Sequence, residues 1–101
     1  MITLCIRYTI DPKKLGDFEE YARRTEQAIA RCGGKPGGYY LPTNFAGPTD
    51  FALALIDFPS LAAYEQYRQA LAKDAAVEAN VAAANASGCI MVENRSFLQR
   101  V

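Results

Sequence analysis

A strand that is apolar on both faces is stable only in the middle of a sheet, and Asp50 to Phe58 (DFALALIDF) reads as such a strand. Large and small residues alternate along it. Phe51, Leu53 and Leu55 lie on one side of an extended chain, Ala52, Ala54 and Ile56 on the other, and both sides stay apolar until Asp57. The segment therefore needs a neighbouring strand on each edge and a layer of cover on each face. The pattern does not say which side meets which layer.

The remaining segments supply the neighbours and one of the layers. Ile2 to Ile10 is a run of β-branched and aromatic residues with Ile2, Leu4, Ile6, Tyr8 and Ile10 on one face and Thr3, Cys5, Arg7 and Thr9 on the other, a strand with one apolar face. Asp11-Pro12 follows as a helix start, since the carboxylate accepts from free amides of the first turn and proline at the first helical position needs no partner. An amphipathic helix is predicted from there. Leu15, Phe18, Tyr21, Ala22, Thr25, Ala28, Ile29 and Cys32 form its inner stripe, and Gly33-Gly34 ends it. Gly38 to Leu41 predicts a short strand entering a loop over Pro42 to Thr49. Ser60 caps a second helix whose inward stripe is Leu61, Tyr64, Tyr67 and Leu71, and Asp74 opens a third helical piece, Ala75 to Ala86, with a thin stripe of Val77, Val81 and Ala84. Cys89 to Leu98 closes the chain as a strand, with Met91 and Phe97 expected on the side opposite Ile90, Val92 and Leu98.

Strand, helix, strand, strand, helix, strand is the split βαβ arrangement of ferredoxin-like α+β folds, an antiparallel four-stranded sheet with helices on one face. The other face then needs its own cover, and a second copy of the same sheet is the natural one, so a homodimer through sheet faces is expected. The chain's 101 residues suit a single domain over 1–101, and 50% hydrophobic residues suffice for a core. Eleven basic residues balance eleven acidic ones, so the electrostatic footprint of nucleic-acid binding is absent. No segment is long and apolar enough to span a membrane, and the first residues form a strand pattern in place of a signal peptide. Cys5, Cys32 and Cys89 match no metal or disulfide spacing, and there is no histidine, which points to a cytoplasmic protein with neither metal nor cofactor.

Several segments in order carry a resemblance: Ile6 to Pro12 ahead of a helix containing Phe18 to Arg23, then Gly38 to Pro42, Phe58 to Arg68, and Glu93 to Phe97. Together they resemble a bacterial member of the NIPSNAP family along the length of the chain. The resemblance implies a dimeric α+β barrel, two ferredoxin-like subunits with their sheets face to face and a cavity in each half. It implies no settled reaction, since similar folds serve cofactor-free monooxygenases, lactone isomerases and binding proteins. Such sequences often carry histidine ahead of the glycine-aromatic motif and an acid late in the first strand, where this chain has Lys35-Pro36-Gly37 and Thr9. Imidazole-dependent catalysis is not expected of it.

The candidate ligand-binding residues are Arg7, Tyr40, Glu93 and Arg95. First and last strands are neighbours in this topology, which sets Glu93 or Arg95 across from Arg7, and a charged cluster on a covered sheet is costly unless it is paired or hydrated. Arg7 or Arg95 can hold a ligand oxygen bidentately while Glu93 balances charge or moves a proton; the competing reading is a structural salt bridge at the barrel rim or dimer edge. Of Tyr39 and Tyr40 only one can face the cavity, and Tyr40 is taken as that one. Cys5 beside Arg7 reads more readily as a small buried hydrophobe than as a nucleophile. Two functions are left open: a small soluble homodimer that binds a modest, largely apolar molecule with one or two polar oxygens, with or without cofactor-independent chemistry, and a non-catalytic dimerisation or interaction module.

Overall fold

The computed structural model describes every residue from Met1 to Val101. Strand β1 (Ile2–Ile10) leads through a 3-10 turn at Pro12–Lys14 into helix α1 (Leu15–Arg31). Strands β2 (Lys35–Tyr40) and β3 (Phe51–Phe58) follow, then helices α2 (Leu61–Ala72) and α3 (Ala75–Ser87), and strand β4 (Ile90–Leu98). The sheet order is β2-β3-β1-β4 with every pairing antiparallel, which is the ferredoxin-like α+β arrangement. No helix is long and apolar enough to cross a membrane.

Local chemistry sets the element ends. The Asp11 carboxylate accepts from the Lys13 amide at 3.0 Å ahead of the 3-10 turn. At the far end of α1 the chain turns through Gly33 at φ 102°, and Gly34 is needed for space: a Cβ there would stand 2.9 Å from Ile29 Cγ2 and 3.1 Å from Ile56 Cγ2. Ser60 Oγ accepts from Ala63 N, and Asp74 Oδ1 accepts from Ala76 N and Val77 N, so both later helices begin where the sequence places their caps. Helix α3 ends at Gly88 with φ 73°, and Lys14 Nζ donates to the Ser87 carbonyl there, where a cation meets the negative end of the helix.

One face of the sheet carries Leu4, Ile6, Tyr8, Ile10, Ala52, Ala54, Ile56 and Phe58, all buried, against Phe18, Ala22 and Ile29 of α1 and Tyr67 of α2. The small residues of β3 thus face the helices and the large ones do not. Phe51 is 45% exposed, Leu53 and Leu55 are half-buried, and they share the opposite face with Arg7, Tyr40, Val92 and Leu98. The chain forms a slab, 37 × 36 × 18 Å, with helices on one side and a bare sheet on the other.

Four details differ from the sequence expectations. Strand β2 begins at Lys35, before the predicted Gly38, because its pairing with β3 accommodates Pro36-Gly37 through a bulge. Ile10 pairs with Ile90 and Thr9 with Val92, so Met91 is an extra residue that shifts the pleat of β4. Ile90 and Phe97 consequently share the helix-side face, and Phe97 meets Tyr64 edge-on at 4.9 Å between ring centroids. On α2, Leu61 is 58% exposed and outside the core. On α3 the buried polar residue is Asn80, whose Nδ2 donates to the Tyr21 carbonyl at 3.2 Å and to Thr25 Oγ1 at 3.0 Å, while Val81 is largely exposed. This amide fastens α3 to α1, and a stripe read only from apolar residues passes over it.

Candidate functional site

Small residues on β3 leave space that aromatic side chains from both flanking strands enter. Tyr8 of β1 stands across from Ala52, and Tyr39 of β2 stands across from Ala54. The two rings stack at 5.9 Å between centroids over the alanine side chains, and their hydroxyls are 3.0 Å apart. Phe18 packs edge-on to Tyr8 at 5.0 Å, and Tyr21 lies 6.4 Å from it, so α1 closes this aromatic group from above. Tyr39 is also held by its backbone: its amide faces away from β3 and donates to Glu26 Oε1 of α1 at 2.9 Å.

Between this group and α2 and α3 lies an inner pocket of about 90 Å³, lined by apolar residues including Leu4, Ile6, Ile56 and Leu71. The polar groups among its lining residues belong to Tyr8, Tyr21, Tyr39 and Tyr67 and to Thr25, Asn80, Arg68 and Arg95. It continues into an outer groove of about 360 Å³ between β4, α2 and α3, and Tyr21, Arg68, Leu71, Val77, Val81 and Arg95 line both. Glu93 stands at the groove, with Oε1 3.6 Å from Arg95 Nη2. Pairing across β1 puts Glu93 beside Tyr8 and Arg95 beside Ile6, both on the helix side.

The electrostatics follow from this enclosure. Burial, reinforced by the neighbouring Tyr39 and Tyr21, holds Tyr8 far above the usual phenol range. Burial, reinforced by Tyr21, likewise raises Tyr39, with the Tyr8 hydrogen bond working against it, and burial raises Tyr21, with the Glu93 charge adding to the effect. Tyr67 is pushed up to about 12 by burial, partly offset by the charges of Arg95 and Arg68. Burial disfavours the Arg95 cation, yet Glu93 together with Tyr8 and Tyr64 outweighs that and raises it above its ordinary value. Around neutral pH the site therefore presents neutral phenols that donate hydrogen bonds. One hydroxyl of the Tyr8–Tyr39 pair donates to the other, and the proton of the acceptor stays available to a ligand oxygen.

Of the four residues singled out from the sequence, the structure brings Glu93 and Arg95 together and separates the other two from them. Arg7 stands across from Asn94 on the bare face of the sheet. The expectation of Glu93 or Arg95 opposite it fails because those residues fall on the other side of the pleat. Tyr40 stands across from Leu53 on the same bare face, 54% exposed, with its hydroxyl donating to the Gly37 carbonyl at 3.3 Å; Tyr39 takes the inward position instead. Sequence reasoning also passed over Tyr8, Tyr67 and Arg68 as site residues. The available signal was the Ala52 and Ala54 spacing, which marks where rings from adjacent strands fit.

Comparison with known proteins agrees with this architecture. A protein from Agrobacterium tumefaciens superposes with a TM-score of 0.86 at 15% identity, covering 100% of this chain and 94% of its own. A NIPSNAP family protein from the same organism gives 0.82 at 22% identity, with 99% and 92% covered. A protein from Caulobacter crescentus provisionally described as an antibiotic biosynthesis monooxygenase gives 0.71 at 15% identity, with 99% and 89% covered. At these identities the likeness is one of fold. No match was found among curated proteins. The NIPSNAP family model matches residues 3–101, from the first strand to the last residue, and the chain belongs to the NIPSNAP family.

Proposed function

We propose that this protein binds a small, largely apolar molecule carrying one or two polar oxygens in the space between sheet and helices, as a homodimer whose sheets face one another. The Tyr8–Tyr39 hydroxyl pair carries the reading: a hydroxyl with a spare proton, set in a mainly apolar pocket, is what a ligand oxygen requires. The inner pocket is smaller than the ~150 Å³ cavity that takes up benzene. An occupant therefore fills it and extends into the groove beside Arg68 and Arg95. Cofactor-independent chemistry at this place would use the phenols as hydrogen-bond donors to a developing oxyanion and Glu93 for proton traffic.

The homodimer is supported by the bare face, where Phe51, Leu53, Leu55, Val92 and Leu98 form an apolar surface around the nearly buried Cys5. A second copy covers such a face symmetrically. Three free cysteines fit a cytoplasmic setting. An interaction module remains the second reading, favoured by this same face, and in it the pocket has no occupant.

Native mass spectrometry of protein taken gently from its source host tests both parts. A dimer that carries a discrete added mass, or takes one up from small aromatic alcohols and acids, is expected. A monomer overturns the dimer, and a dimer that neither carries nor acquires such a mass overturns the binding role.

A further inference from the structure

The groove mouth holds more positive than negative charge. Arg68 of α2 and Arg95 of β4 line both the inner pocket and the outer groove, and Glu93 is the one acidic side chain that lines either. Glu93 is committed to Arg95, at 3.6 Å, a separation too long for a good hydrogen bond, so the guanidinium keeps donors to spare. Arg68 forms no ion pair; Glu65, one helical turn before it, does not reach it. Elsewhere the pattern is opposite: Arg23, Arg24 and Arg31 are each matched to a carboxylate at 2.8–2.9 Å. The two arginines at the mouth are thus the under-matched ones on the helix side of the protein.

Resting on the pocket reading above, we infer that the ligand is a monocarboxylate, with its apolar body toward Tyr8, Tyr39 and Ile6 and its carboxylate between Arg68 and Arg95. The chemistry of each end supports this. A planar guanidinium matches a carboxylate with paired, charge-assisted hydrogen bonds, which are about twice as strong as neutral ones. The partial enclosure of Arg95, whose side chain is 38% exposed, limits screening by solvent. Apart from these two arginines, the inner pocket is lined only by neutral polar side chains, tyrosines with Thr25 and Asn80, which suit an uncharged oxygen and would leave a second carboxylate unpaired. A dicarboxylate and a free amine are therefore both disfavoured.

Phenylacetate and its neutral counterpart phenylacetamide, titrated by calorimetry into the protein at low salt, separate the possibilities. Phenylacetate is expected to bind about ten-fold more tightly. Arg68→Gln and Arg95→Gln should each reduce that preference, whereas Arg23→Gln on the outer surface of α1 should leave it intact. Added salt should weaken phenylacetate binding and spare phenylacetamide. Equal binding of the two, or a preference that survives both arginine changes, overturns the carboxylate inference and leaves the pocket reading standing. Failure of both to bind at millimolar concentration overturns the inference and the reading beneath it.

Discussion

Tyr8 and Tyr39 sit on strands that are not neighbours, yet their hydroxyls meet at 3.0 Å because the residues of the intervening strand that stand across from them are the small Ala52 and Ala54. Two alanine side chains leave a trough, two phenols fill it, and the result is a polar pair in an apolar wall.

Filling the trough should break the pair. In Ala54→Leu the added carbons meet the Tyr39 ring, and an overpacked core costs about 1–3 kcal/mol. We expect a lowered midpoint in urea with an unchanged slope, together with loss of ligand binding. A variant as stable as the parent that still binds would show that the rings do not depend on the trough.

Removing one hydroxyl is gentler. Tyr39→Phe keeps the ring and deletes a hydrogen bond worth a net ~0.5–1.5 kcal/mol. Binding should weaken more than stability, because the polar pair that meets the ligand oxygen is cut to the single Tyr8 hydroxyl while the aromatic packing remains. Ligand titration and denaturant unfolding of the same preparation make the comparison.

Alkaline pH should unfold the protein. A phenol whose folded pKa is raised above its unfolded value of 10.0 is stabilising while it stays protonated. The contribution is fully present below pH 10 and declines as pH rises, because the unfolded chain then loses protons that the folded one keeps. For Tyr67 the window runs from 10.0 to about 12, and for Tyr8, Tyr21 and Tyr39 the loss likewise begins at the unfolded value. Phenolate absorbance from Tyr8, Tyr21 and Tyr39 should therefore appear together with loss of circular dichroism. Tyr8→Phe should shallow the decline in stability above pH 10.

Asn80 should matter more than its place in an alanine-rich helix suggests. Asn80→Ala removes the donor that the Tyr21 carbonyl and Thr25 Oγ1 share, while Thr25 Oγ1 still donates to that carbonyl, so the cost is that of the lost hydrogen bonds, about 0.5–1.5 kcal/mol each. Thermal unfolding measures it, and amide exchange should rise over α3 before it rises over the sheet.

On the bare face a charge should split the proposed dimer without unfolding the chain. Leu53→Arg sits beside Arg7 across β1 and β3, half-buried in the isolated subunit and buried once a second sheet covers it. Light scattering should report a monomer near 11.1 kDa with parental circular dichroism. A variant that remains dimeric would place the contact elsewhere.

Much of the fold was legible in the chain because caps and periodicity are local. Ser60 and Asp74 announce their helices, Asp11 announces the 3-10 turn that leads into α1, and Ile2 to Ile10 shows its inner face by alternation alone. The site was less legible because it depends on register. Phe51 to Ile56 is apolar on both sides, and the larger residues would ordinarily be assigned to the interior; here the alanines take that position because rings from β1 and β2 occupy the volume. The same uncertainty of register made Tyr40 as plausible as Tyr39 and allowed Arg7 to be paired with Glu93, when one pleat separates them. Asn80 escaped notice because a buried amide breaks an apolar stripe, and only its partners on α1 explain it.

The central claim is that the space beneath the helices is where a ligand sits, and tyrosine-ring NMR tests it most directly. With ring-labelled tyrosine and phenylacetamide or phenol as the titrant, the resonances of Tyr8, Tyr39 and Tyr67 should shift together and saturate, while Tyr40 on the opposite face stays in place. Saturable shifts confined to Tyr40, with the inner rings unmoved, would contradict the account and transfer the binding site to the bare face of the sheet.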